Sequence, residues 1–123
     1  KISIIIPVLG ESKYEDVLRT VQLQSFSSWE AIVLTDKEKT FNELDNIKDP
    51  RIKPIKIERQ KSEIKTLLSG IQYCNGTFVL FLNENNLLGN GDALAILYSN
   101  AIKNKADFIH FRAFDTSLGK TLP

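Results

Sequence analysis

Four short stretches of this chain combine polar and charged side chains directly after apolar runs. They are Pro7 to Glu11, Thr35 to Lys39, Glu58 to Lys61 and Asn83 to Asn86. The last offers amide oxygens and a single carboxylate, Glu84. Amide oxygens can ligate Mg²⁺ or Mn²⁺, but hard cations bind much more weakly without charged oxygen ligands. Neither G-x-G-x-x-G nor G-x-x-x-x-G-K-[ST] occurs, which disfavours a dinucleotide oxidoreductase or a P-loop enzyme. Cys74 is the only cysteine and His110 the only histidine. One of each cannot build a disulfide or a Cys/His zinc cage. Cys74 therefore reads as inert packing, and His110 as a hydrogen-bonded structural residue.

Those stretches need a scaffold, and the hydrophobic pattern supplies one. Ile2 to Ile6, Trp29 to Leu34 and Thr77 to Leu82 are apolar on both faces, as strands of a buried, mostly parallel sheet must be. Arg51 to Ile57 alternates basic and apolar residues around Pro54, which demotes it to an edge or short strand. Asp107 to Phe114 is a last strand. Between them, Tyr14, Val17, Leu18 and Val21 form one helical stripe, with Ser12 and Glu15 at capping-box spacing. Phe41 to Ile47 is a short helix. Ile64, Leu67, Leu68 and Ile71 form a stripe expected in the core, with Gly76 as terminator. Leu94, Leu97, Tyr98, Ala101 and Ile102 form the last helix. Alternating strands and helices with short connections predict a three-layer α/β/α domain with a mostly parallel sheet. Ligands of such sheets bind beyond the carboxyl ends of the strands, where all four polar stretches fall.

Composition bounds the function. The 123 residues suit a single domain over 1–123. With 42% hydrophobic and 25% charged residues, disordered and fibrous classes are excluded. Net charge is +1, so nothing pulls the chain globally toward nucleic acid or an anionic membrane. Arg51, Lys53, Lys56, Arg59 and Lys61, interleaved with Glu58 and Glu63 and without aromatics, read as a solvated face. The longest apolar run, Ile4 to Leu9, is too short to span a bilayer, and no signal peptide is recognisable. The chain opens on a strand and lacks Met, so it is expected to be a piece of a longer protein.

The ordered motifs resemble those of family 2 glycosyltransferases over nearly the whole chain. Ile2-Ser3-Ile4-Ile5-Ile6-Pro7-Val8-Leu9-Gly10-Glu11 resembles that family's opening strand and turn. Gln24-Ser25-Phe26-Ser27-Ser28-Trp29-Glu30 resembles its Q-[T/S]-[Y/F]-x-x-[W/I]-E, and Asn75 to Leu82 its strand [K/N]-G-[E/T]-[Y/F]-[I/V]-x-F-L. Asp92 to Tyr98 resembles the helix that follows.

The resemblance implies a GT-A fold whose N-terminal half binds a nucleotide-diphosphate sugar, usually with Mg²⁺ or Mn²⁺. It places Pro7, Val8, Gly10 and Glu11 in the nucleotide-contacting turn and Asp36 at the position that accepts a hydrogen bond from the base. A carboxylate there favours a UDP-type donor, since uracil offers an N–H. Lys65 lies where the family keeps residues near the diphosphate. The family's Arg and Asn are here Leu67 and Leu68, assigned to the core. Its D-x-D metal motif is represented by Asn83 and Asn85, a degenerate pair expected to hold Mg²⁺ or Mn²⁺ weakly. Two readings follow. One is a donor-binding domain of a polysaccharide- or glycoconjugate-building glycosyltransferase, inactive as this segment alone. The other is a catalytically degenerate GT-A scaffold or interaction module. In either, the domain is expected in the cytoplasm, free or held at the inner face of a membrane by its parent chain.

Overall fold

The computed structural model describes residues 1–10, 13–59, 62–83 and 86–103, together with the backbone of 108–109. The elements in chain order are β1 (Ile2–Val8), α1 (Glu15–Gln22), β2 (Trp29–Thr35), α2 (Glu38–Asp45), β3 (Ile52–Lys56), α3 (Glu63–Ile71), β4 (Phe78–Phe81), α4 (Ala93–Lys103) and β5 (Phe108–Ile109). They form one five-stranded sheet in the order β3-β2-β1-β4-β5, with every pairing parallel. This is the predicted α/β/α layering, and Pro54 does lie on an edge strand. The expected Ser12 cap falls outside the described residues. Tyr14 occupies the N-cap position of α1 and makes no side-chain cap hydrogen bond.

Both faces of the central strands are covered. Ile2, Ile4, Ile6 and Val8 of β1 meet Val17, Leu18 and Val21 of α1, Leu44 of α2 and Leu94 of α4 in one core. Ile5, Ile32, Leu34 and Phe81 form the other, against Leu67 and Cys74. Each fully buried aliphatic side chain contributes about 1.5–3 kcal/mol. Gln24 ties the first layer together. Its side-chain amide donates to the carbonyls of Thr20 (3.1 Å) and Asn90 (2.9 Å), and its oxygen accepts the Leu94 N–H (3.0 Å), capping the first turn of α4.

The helix α3 corrects two expectations. Its buried residues are Thr66 and Gly70, whereas Leu68 is 60% and Ile64 65% exposed, so Leu68 is not a core residue. Gly70 sits so close to the sheet that a Cβ there would lie 2.9 Å from Ile5 Cγ2. Small residues thus set the contact and turn the larger aliphatics outward. Gly76 does not end the helix, which stops at Ile71. It lies at the entry to β4, where a Cβ would come within 2.7 Å of the Lys1 carbonyl oxygen and of Ser3 N and Oγ.

That entry is fastened by a buried carboxylate. Glu30 Oε2 accepts from Ser3 Oγ (2.5 Å) and from the Asn75 N–H (2.5 Å), while Oε1 accepts from Lys53 Nζ (2.6 Å). Lys1 Nζ stands 3.6 Å away, and Ser3 Oγ accepts the Gly76 N–H at 2.7 Å. Burial alone would raise the Glu30 pKa. The hydrogen bonds from Lys53, Ser3 and Asn75, with the charge of Lys53, outweigh it and hold the carboxyl at about 2. Lys53 is therefore an ion-pair partner of the interior, and Arg51 stacks 3.9 Å over the Trp29 ring. Both make these contacts while keeping a third or more of the side chain in water, 40% for Lys53 and 34% for Arg51.

Candidate functional site

All strands being parallel, their carboxyl ends share one edge of the sheet. Strand order reverses between β1 and β4, and a ligand crevice is expected at that switch point. The exit of β1 lies in it. Val8 is buried in the core and pairs with Thr35 across β1 and β2, so only its backbone faces outward from the sheet edge. Pro7 is half-buried just before it. Gly10 then adopts φ +61°, a left-handed conformation that costs other L-residues about 1–2 kcal/mol.

This turn brings the predicted pair together. The Gly10 N–H donates to Asp36 Oδ1 at 3.0 Å across 26 residues of sequence. Asp36 is half-buried. One accepted hydrogen bond leaves most of a carboxylate's acceptor capacity unused. Thr35, immediately before it, is fully buried. Its carbonyl accepts the Ile57 N–H (2.8 Å) and its hydroxyl oxygen the Lys37 N–H (3.3 Å), so it secures the exits of β2 and β3 instead of facing a ligand.

Arg59 was missed by sequence reasoning. A Cβ on Gly10 would lie 3.4 Å from Arg59 Nη1, so the guanidinium lies against Gly10. No carboxylate among the described residues forms an ion pair with it. The available signal was its position, three residues past the end of β3 at the carboxyl edge. Its reach to Gly10 depends on tertiary placement, which no local pattern encodes.

Lys65 is an exposed residue of the first turn of α3, and its backbone N–H is capped by Ser62 Oγ at 3.2 Å. No hydrogen bond joins it to the Gly10–Asp36 pair. Glu11 and Asn85 lie outside the described residues. Asn83 is half-buried and bonded to Asn86. The Asn86 N–H donates to the Asn83 carbonyl (3.1 Å), and Asn86 Oδ1 accepts the Asn83 N–H (3.0 Å).

A divalent cation needs several oxygen ligands, preferably anionic. Among the described residues no group of three or more His, Cys, Asp or Glu could hold one. The Asn86 side-chain oxygen already accepts the Asn83 N–H, and Glu84 and Asn85 lie outside the described residues.

No helix among the described residues is long and apolar enough to cross a membrane. Compared with known proteins, the chain matches the family model described as Glycosyl transferase family 2 over residues 3–121. No curated protein matches it.

Proposed function

The chain belongs to glycosyl transferase family 2, and from that premise we propose that its carboxyl-edge crevice binds the nucleotide of a UDP-type sugar donor for glycosyl transfer in polysaccharide or glycoconjugate synthesis. The observation that carries this reading is the Gly10 N–H to Asp36 Oδ1 hydrogen bond. It fixes a carboxylate at the edge of the crevice by one of its oxygens. The remaining lone pairs can accept the ring N–H of uracil, whereas the unprotonated N3 of cytosine offers them nothing. The neighbouring backbone of Pro7 to Gly10 passes close enough for main-chain contacts, because Gly10 carries no side chain.

The degenerate-scaffold reading has its own support in the neutral amides Asn83, Asn85 and Asn86, which stand where charged ligands would be needed, with Asn86 Oδ1 already accepting the Asn83 N–H. The two readings part on ligand binding. Titrating UDP while following amide NMR shifts is expected to perturb Gly10 and Asp36 at submillimolar to millimolar ligand, and Asp36→Ala should abolish the response. Silence at millimolar UDP, or shifts confined to another surface, would overturn the donor-binding reading and leave the scaffold.

A further inference from the structure

We infer that Asn90 is a covalent modification site, where spontaneous deamidation through the Gly91 amide produces isoaspartate and loosens the joint between α1 and α4. The chain contains two Asn-Gly pairs, Asn75-Gly76 and Asn90-Gly91. A glycine after asparagine leaves its amide nitrogen unshielded, because it has no Cβ, and permits the backbone conformations that ring closure needs. The structure treats the two pairs oppositely. Asn90 and Gly91 are both exposed, and the Gly91 N–H has no hydrogen-bond partner among the described residues. Asn90 Oδ1 accepts the Asp92 N–H at 2.8 Å. That bond turns the side chain forward along the backbone and sets a donor where negative charge develops on the oxygen during attack. At the other pair the Gly76 N–H is committed to Ser3 Oγ (2.7 Å) and the Asn75 N–H to Glu30 Oε2 (2.5 Å). Lys1 and Ser3 crowd Gly76 as well.

Water is the only co-reactant the step requires. The Gly91 nitrogen loses its proton and bonds to Asn90 Cγ, the Cγ–Nδ2 bond breaks, and ammonia leaves. Water then opens the succinimide at either carbonyl. Opening at Cγ restores the original main chain with aspartate at this position. Opening at the α-carbonyl reroutes the chain through Cγ as isoaspartate, one methylene longer, and turns the former main-chain carbonyl into a free carboxylate. In the folded chain that carbonyl accepts from Gln24 Nε2 (2.9 Å) and the Ala93 N–H (3.1 Å), and the Gly91 carbonyl accepts the Ser25 N–H (2.8 Å). Gln24 Oε1 in turn accepts the Leu94 N–H. The added methylene therefore falls in the segment that ties the end of α1 to the start of α4.

The experiment incubates the purified chain in mildly alkaline buffer, folded and in unfolding urea, and maps its peptides by mass spectrometry with isoaspartate resolved from aspartate. In the folded chain Asn90 is expected to deamidate at least about tenfold faster than Asn75, the protection that two native hydrogen bonds, one of them to a carboxylate, give the Asn75-Gly76 pair. In urea the two rates should converge, because neither pair keeps its native partners. A Cβ at residue 91 would meet nothing within 4 Å, so Gly91→Ala should fold normally while its methyl group shields the nitrogen and slows the loss at Asn90 severalfold. The isoaspartate form, separated by its added charge, should exchange the Leu94 N–H faster than the unmodified chain. Four results overturn the inference: equal rates at Asn75 and Asn90 in the folded chain, aspartate formed without isoaspartate, a Gly91→Ala rate unchanged at Asn90, or unaltered Leu94 exchange in the isoaspartate form.

Discussion

Replacing Glu30 by Gln tests whether the buried carboxylate fastens the sheet through its charge. The carboxyl titrates at about 2 in the folded chain, against an ordinary 4.5. A lowered folded pKa contributes stability that is fully present above the unfolded value and is lost as pH falls toward the folded one. With about 1.4 kcal/mol per pH unit, the shift is worth about 3 kcal/mol at pH 7. The contribution should fall to about 1.4 kcal/mol at pH 3 and below about 0.5 at pH 2. Gln keeps the shape and one acceptor, which can retain Ser3 Oγ and the Asn75 N–H. Its amide donors then face Lys53 and Lys1, which have nothing to donate to. The assay is urea unfolding of both proteins at pH 7, 5 and 3. Asp49 is likewise held at about 2, by the Arg51 hydrogen bonds, but it is common to both proteins and cancels in the difference. Glu30→Gln should be about 3 kcal/mol less stable at pH 7, with the gap narrowing below pH 5 as neutral Glu30 comes to resemble Gln. A gap unchanged between pH 7 and pH 3 would show that shape, not charge, makes the clamp.

Three further outcomes follow from the same geometry. Asp36→Ala should erase the UDP-induced amide shifts at Gly10. Gly76→Ala should destabilise the fold by about 3 kcal/mol in thermal or urea unfolding, because its Cβ would meet backbone of Lys1 and Ser3 at 2.7 Å. Leu68→Ser should change stability by less than about 0.5 kcal/mol, since 60% of the residue is already in water; a loss above about 2 kcal/mol would return it to the core.

The layering was legible because β1, β2 and β4 are apolar at nearly every position, and only a sheet covered on both faces buries all of them. Pro54 marked its edge strand for the equally general reason that it cannot donate to a ladder. The face of α3 was not legible. Its residues Ile64, Leu67, Leu68 and Ile71 have helical period, but so do Thr66, Gly70 and Cys74. Period alone does not choose between two stripes, and hydrophobicity favours the wrong one. The choice is made by distance, since Gly70 lets the helix approach Ile5 and Leu34 more closely than a leucine-lined face could.

The site poses the same difficulty in electrostatic form. Glu30 and Asp36 both lie on the β2 segment, one near each end, and each carboxylate accepts a backbone N–H from a neighbouring turn: Asn75 for Glu30, Gly10 for Asp36. As letters in a sequence they are equivalent. Glu30 is 1% exposed and spends its oxygens on Ser3, Asn75 and Lys53, so an added ligand would find no free acceptor. Asp36 is half-buried at the open edge, bonded to the Gly10 N–H, and the Arg59 guanidinium lies against that same glycine. The polypeptide thus uses one motif, a carboxylate gripping a turn, as a buried fastening at one end of the strand and as a half-buried one at the other. What separates the two is the lysine that reaches Glu30 from β3 and the arginine that lies across Gly10. Both come from the chain after β2, and both take their positions only when the sheet is assembled.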